Sequence, residues 1–311
     1  MLHLLFFLLL IGNFLIGMFW LKSGLYNMAE KRMSGLIFKW TDAPWKGFLI
    51  GIFVTAILQS SSAVMVLTIG FVSAGILTFR QSIGIILGTN IGTTMTLEII
   101  SLDIGYLSLP LLGVAFLLLL LPIKNTQPMA LSFLGLSLIF MSMQGFEELA
   151  RPLADQSFIH TLLENSNSSS LFSIFLGMVL TGLAQSSTVI TGIAMSFVEK
   201  DIITIFSGIA IMLGANIGTC VTSYIAGIGS GKTTKMTVYA HIWLNVIGVL
   251  VFFPLITELG QLVEHVTQDP ELQLAHASLA FNVICSTVVL PFSNSFARMI
   301  EKLHGREKTD R

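Results

Sequence analysis

The sequence predicts an all-α polytopic membrane protein made of two inverted-topology repeats. Three observations lead there: too little charge to coat a soluble globule, a series of apolar stretches of bilayer length, and a gapless internal repeat. Of 311 residues, 54% are hydrophobic and 11% charged, with a mean hydropathy of +0.85. A soluble domain carries about 25% charged residues to solvate its surface. The formal net charge of −1 excludes the basic footprint of a nucleic-acid binder. Cys220 and Cys285 both lie in apolar stretches, which excludes a disulfide framework and a Cys-rich metal site.

A spanning helix needs about 20 largely apolar residues. Stretches 2–21, 82–100, 106–123, 127–146, 202–228, 236–257 and 275–297 approach that length, which predicts about seven spanning helices. The first is not expected to be a cleaved signal, because its positive charges follow the apolar run instead of preceding it. Residues 22–45, with Lys31, Arg32, Lys39, Trp40 and Trp45, read as an interfacial helix. Stretch 147–170, acidic and then Ser/Asn-rich, reads as an external loop, and 298–311 as a short solvated tail.

Two further stretches, 46–79 and 171–198, are broken near their centres by Gln59-Ser60-Ser61-Ser62 and Gln185-Ser186-Ser187-Thr188. Their arms fall short of the roughly 17 residues that a span requires. Both are expected to be re-entrant hairpins with the polar run at the tip. Irregular backbone at that depth is tolerated where it is buried in protein or lines a watery cavity.

Threading the chain through these segments puts 14 Lys/Arg on one face and only Arg151 and Lys200 on the other, exhausting the 16 present. Basic residues collect on the cytoplasmic side. The expected arrangement is a multi-pass protein of the cell membrane, with the N-terminus outside and the C-terminus cytoplasmic. Lys22 counts among the cytoplasmic anchors.

Displacing the chain by 126 residues aligns 51–99 with 177–225 without a gap, with 19 of 49 positions identical. Thr55 falls on Thr181, Gln59-Ser60-Ser61 on Gln185-Ser186-Ser187, and Asn90-Ile-Gly-Thr93 on Asn216-Ile-Gly-Thr219. Three spans separate corresponding points, so the second copy sits upside down. The expected units are a first repeat, 1–126, a second, 127–260, and a last span with its tail, 261–311. Inverted repeats with broken helices characterise secondary transporters, whose sites lie between the halves.

Serine is a favoured N-cap, and a half-helix N-terminus offers free N–H groups and partial positive charge to an anion. Two such tips would converge on one site. Gly88-Thr-Asn-Ile-Gly92-Thr93 and Gly214-Ala-Asn-Ile-Gly218-Thr219 are GxxxG patterns for close helix packing. They are also expected to unwind locally, so that carbonyls and the side chains of Asn90, Thr93, Asn216 and Thr219 bind sodium. No Lys or Arg is expected at the midplane, which leaves an anionic substrate dependent on co-bound cations. Glu98, near one segment's end, reads either as snorkelling to the interface or as an ion or proton ligand. His241, Asn245, His276 and Asn282 read as interhelical hydrogen-bonding residues. Residues 226–233 fit a loose P-loop pattern but join two spans without the strand–helix context of a nucleotide site. No HExxH, catalytic Cys/His pair or buried acid pair points to an enzyme.

Paired Gln-Ser-Ser-(Ser/Thr) hairpins, each followed by Gly-x-Asn-Ile-Gly-Thr, resemble the sodium/phosphate cotransporter type II family, as does the helix carrying His241 and Asn245. The resemblance covers residues 46–100 and 171–292 most clearly. It implies sodium-coupled transport of inorganic phosphate, with both ions bound at Gln59, Ser60, Ser61, Ser62, Gln185, Ser186, Ser187 and Thr188. Asn90, Thr93, Asn216 and Thr219 join them. The implied partners are phosphate, sodium as coupling ion and the lipid bilayer, with no other cofactor and no nucleic acid. A homodimer, the transport direction, another small anion and a non-transporting scaffold or sensor stay open. Some bacterial members append a PhoU-like helical domain, which is expected to be missing here.

Overall fold

The computed structural model describes residues 2–39, 43–102, 105–121 and 126–305, with 29–39 placed by backbone only. These residues form helices α1 (Leu2–Lys39), α2 (Pro44–Leu58), α3 (Ser61–Ser73), α4 (Phe79–Ile100), α5 (Ser108–Leu120) and α6 (Thr126–Ala154). There follow α7 (Ser157–Ser168), α8 (Ser170–Ala184), α9 (Ser187–Glu199), α10 (Ile205–Gly218), α11 (Cys220–Ala226) and α12 (Lys232–Phe252). The chain ends with α13 (Ile256–Val266), α14 (Pro270–Val289) and α15 (Ser293–His304). No strand occurs among the described residues.

Among the described residues six helical segments are long and apolar enough to cross a membrane: Leu2–Met28, Phe79–Ile100, Thr126–Ala154, Ile205–Ala226, Lys232–Val266 and Pro270–His304. The protein is therefore an all-α polytopic membrane protein. The last two segments bend at 3₁₀ turns over Phe253–Leu255 and Leu290–Phe292. Each turn holds a proline, whose missing N–H breaks the helical ladder. Stretch 106–123 is shorter than expected, as its described part is the apolar segment Gly105–Leu120.

Both broken stretches fold as pairs of short helices. α2 and α8 have 15 residues each, and α3 and α9 have 13 each. At about 1.5 Å per residue the longer arms reach about 22 Å, short of the roughly 30 Å hydrocarbon core. Corresponding starts are capped alike. Thr78 accepts the Gln81 N–H at the head of α4, and Thr204 accepts the Ser207 N–H at the head of α10.

Small residues hold the first arm of each hairpin against the following long helix. α2 packs along α4 and α8 along α10. A Cβ on Gly88 would collide with the Phe48 carbonyl oxygen, and one on Gly214 with that of Ile174. At Gly92 and Gly218 it would lie 2.6 Å from the Cβ of Thr55 and of Thr181, respectively. The two packings match residue for residue at the 126-residue offset. Behind them lies an apolar core that includes Phe14, Met143, Phe146, Met195, Met212 and Phe281.

Three expectations need correction. Residues 22–39 are not a separate interfacial helix but the continuation of α1, with no proline to stop it. The Lys31, Arg32 and Lys39 side chains, and Trp40, lie outside the described residues. Stretch 147–170 is helical: α6 runs on to Ala154 and α7 follows. Its Ser and Asn side chains tie elements together instead of solvating a loop. Ser166 and Ser173 hydroxyls lie 2.6 Å apart, and the Asn167 amide donates to the Ile202 carbonyl at 3.0 Å. Finally, α4 runs unbroken through Gly88–Thr93, whereas α10 stops at Gly218 and α11 begins at Cys220.

Candidate functional site

The sequence Gln-Ser-Ser forms the same backbone turn twice. Gln59 closes α2 with φ 50° and ψ 32°, and Gln185 closes α8 with φ 52° and ψ 28°. The next residue is extended in each, Ser60 at φ −157° and Ser186 at φ −148°. The left-handed region disfavours any residue with a Cβ, by roughly 1–2 kcal/mol. Among the described residues only Gln59, Gln185 and Asp201 occupy it without being glycine. Glycine would form this turn more cheaply.

Both turns open onto one cleft. It is lined by Gln59, Ser60, Ser61, Ser62, Gln185, Ser186, Ser187 and Thr188, together with Thr93, Thr219 and Lys22. Ten of the twelve expected residues thus come together. The enclosed space is about 20 Å³, and one ordered water needs roughly 10–15 Å³ on the same measure. The tips are drawn close.

Hydrogen bonding sorts the lining into two kinds of oxygen. Thr93 donates its hydroxyl to the Thr89 carbonyl at 2.9 Å, and Thr219 donates to Asn216 at 2.6 Å. Their protons are committed, so the exposed lone pairs suit a cation. The hydroxyls of Ser61, Ser62, Ser187 and Thr188 have no protein partner among the described residues. They are free to donate to an anion. Ser60 accepts the Ala63 N–H at 3.2 Å and caps α3 as expected. Ser186 makes no such side-chain cap. The glutamines also differ. Gln59 is buried and accepts the Thr96 hydroxyl, whereas Gln185 is exposed.

Asn90 and Asn216 lie outside this lining. The Asn90 amide donates across to Asn245 Oδ1 at 3.2 Å, and the Asn216 amide turns back to the Met212 carbonyl at 2.9 Å. Asn245 donates in turn to the His241 carbonyl at 2.9 Å, and Ser223 lies 2.9 Å from His241 Nδ1. His276 Nδ1 sits 3.0 Å from Glu98 Oε1, so Glu98 is held by a partner helix. His241, Asn245 and His276 bridge helices as expected. Asn282 instead bonds the Ser278 carbonyl within its own helix. The hydroxyls of Thr55 and Thr181, beside the tips, are both buried without a partner.

Lys22 is the residue that sequence reasoning missed. Counted as a membrane anchor, it lies in the cleft between the two tips. A lysine therefore lines the cleft that the sequence reading left without a basic side chain. The physical reason is α1 itself: it continues past residue 21, so Lys22 sits within a helix and not beyond its end. That unbroken pattern was a signal in the sequence, masked by the general habit of lysines to flank spans.

A second hollow, of about 270 Å³, is lined by Glu147, Glu199, Asp269 and Glu271 among others. Lys200 Nζ lies 2.8 Å from Glu147 Oε2, and that bond raises the Lys200 pKa above its ordinary value. Among the described residues no cluster of three or more His, Cys, Asp or Glu is placed to hold a metal.

A helical membrane fold whose polar side chains meet in one cleft between repeated hairpins defines a membrane transporter. The profile of the Na+/Pi-cotransporter family matches residues 13–148 and 150–267, and the chain belongs to that family. It is 42% identical to the uncharacterized protein YqeW of Bacillus subtilis over 303 residues, 97% of this chain and 99% of that one. It is 20% identical over 284 residues to a protein of Salmonella typhimurium named "Putative inorganic phosphate export protein YjbB". That match takes in 91% of this chain and 52% of YjbB, so the chain spans about half that relative's length. An 83-residue stretch is 37% identical to the sodium-dependent phosphate transport protein 2A of Ovis aries, over 26% of this chain and 13% of that one. No solved structure matches the chain.

Proposed function

We propose that this protein carries inorganic phosphate across the cell membrane by sodium-coupled alternating access, using the cleft between the two Gln-Ser-Ser turns. The observation that carries this reading is the convergence of two left-handed, repeat-related glutamine turns on one polar space. Free hydroxyls and two helix N-termini recognise the oxyanion. Sodium takes the oxygens of Thr93 and Thr219, whose protons point away. The family, and relatives named for phosphate transport, support the same substrate. In this reading the repeats 1–126 and 127–260 are inverted, and the hairpins enter from opposite faces. The excess of basic residues on one face supports a cytoplasmic C-terminus and an external N-terminus.

Purified protein in liposomes, given labelled phosphate and an inward sodium gradient, is expected to accumulate phosphate. Replacing sodium by potassium should abolish accumulation, and loading sodium inside should drive efflux from preloaded vesicles. Equal phosphate movement under both cations would remove the sodium coupling. None above empty liposomes, from protein that elutes as one folded species, would remove phosphate transport.

A further inference from the structure

Every residue lining the cleft is Gln, Ser or Thr except one, Lys22, and no carboxylate is among them. Among the described residues the Lys22 ammonium has neither a hydrogen bond nor an ion pair. Its place is fixed by the helix that carries it. Met18 and Leu21 are buried in the core. Gly24 lies so close to α6 that a Cβ there would collide with the Pro128 carbonyl oxygen. α1 also packs against α2 of the first hairpin and α9 of the second. Lys22 is thus delivered to the one place where both tips meet.

We infer that Lys22 is a binding residue for the transported anion, the fixed positive charge of the cleft. This rests on reading the cleft as the anion site, and it deepens that reading. A partly buried ammonium with no acceptor among the described residues leaves three donors unsatisfied, and a small oxyanion supplies the missing acceptors. The same charge repels a bare cation from its vicinity and directs sodium toward Thr93 and Thr219. The coupling cations then need not offset the whole charge of the anion. Neutral and cationic solutes gain nothing from the ammonium. The substrate class it selects is a small oxyanion with several acceptor oxygens.

The test is labelled-phosphate uptake by wild type, Lys22→Met and Lys22→Arg in liposomes, each checked for a single folded species by size exclusion. Methionine keeps the length of the side chain and removes the charge. The expected result is a phosphate KM raised at least tenfold in Lys22→Met, or about 1.4 kcal/mol, with kcat at saturating phosphate nearly kept. Lys22→Arg, which restores the charge, should fall between that variant and wild type. An unchanged KM in Lys22→Met overturns the assignment while leaving phosphate transport intact. So does a loss confined to kcat, or an equal rise in both variants, since either marks a role in packing or motion. No phosphate uptake by wild type overturns the transport reading and this assignment with it.

Discussion

Gln59 and Gln185 each accept a left-handed backbone that a glycine would adopt at lower cost, and both line the same cleft. Replacing either with glycine separates backbone from chemistry. Relief of strain and the added freedom of the unfolded chain are each about 1 kcal/mol and opposite in sign. For the exposed Gln185 these nearly cancel, so Gln185→Gly should shift Tm by no more than about 2–4 °C. Gln59→Gly also orphans the buried Thr96 hydroxyl and should lower Tm further, while phosphate uptake falls at least tenfold in both. A variant that transports normally would show that glutamine serves only the turn. The tips were legible because Gln-Ser-Ser followed by a further hydroxyl residue interrupts two apolar runs at one spacing. The left-handed turn was not, since no glycine marks it. Lys22 stayed hidden because a lysine just past an apolar run looks like any anchor. The difference between Gln59, which accepts a bond from Thr96, and Gln185, which is exposed, follows from tertiary packing and not from the matching local sequence.

At the scale of elements, each hairpin is aimed by the helix that follows it. The contact between Gly88 and the Phe48 carbonyl, and its counterpart between Gly214 and Ile174, leave no room for a methyl group. Gly88→Ala or Gly214→Ala should cost about 1–3 kcal/mol through overpacking and tilt α2 or α8, moving the tip. The expected outcome is a lowered Tm and weakened phosphate uptake together. Full stability in both variants would mean that these arms float free of α4 and α10. Close packing at these glycines was readable from the GxxxG spacing. Local unwinding was not, because identical Asn-Ile-Gly-Thr runs fold differently in the two copies. In α4 the Asn90 amide spends its bond on Asn245 of another helix. In α10 the Asn216 amide instead turns back on the Met212 carbonyl of its own helix. Such bonds compete with the backbone ladder, and α10 ends there. The helical course of 147–170 was missed for a related reason: Ser166 and Asn167 look like loop residues until their partners, Ser173 and Ile202, are in place.

Across the whole molecule, the two repeats build one site that neither could build alone. Ser61 and Ser62 come from the first hairpin and Ser187 and Thr188 from the second, while α1 adds Lys22 between them. A site divided in this way suits alternating access, because separating the halves on either face exposes the ligand to that face. The repeat and the polar tips were readable at this scale from the 126-residue offset alone. Their meeting was not, since it depends on how the helices pack. The central claim is that both tips hold the same anion, and a double-mutant cycle between them tests it most directly. Ser62→Ala, Thr188→Val and the double variant are compared by the phosphate KM of sodium-driven uptake. Groups contacting one ligand are coupled, typically by 0.5–3 kcal/mol, whereas independent sites add. The account predicts that each single change weakens phosphate and that the double variant departs from their sum by at least about 0.5 kcal/mol. Full additivity, or a KM that responds to one tip only, would contradict it.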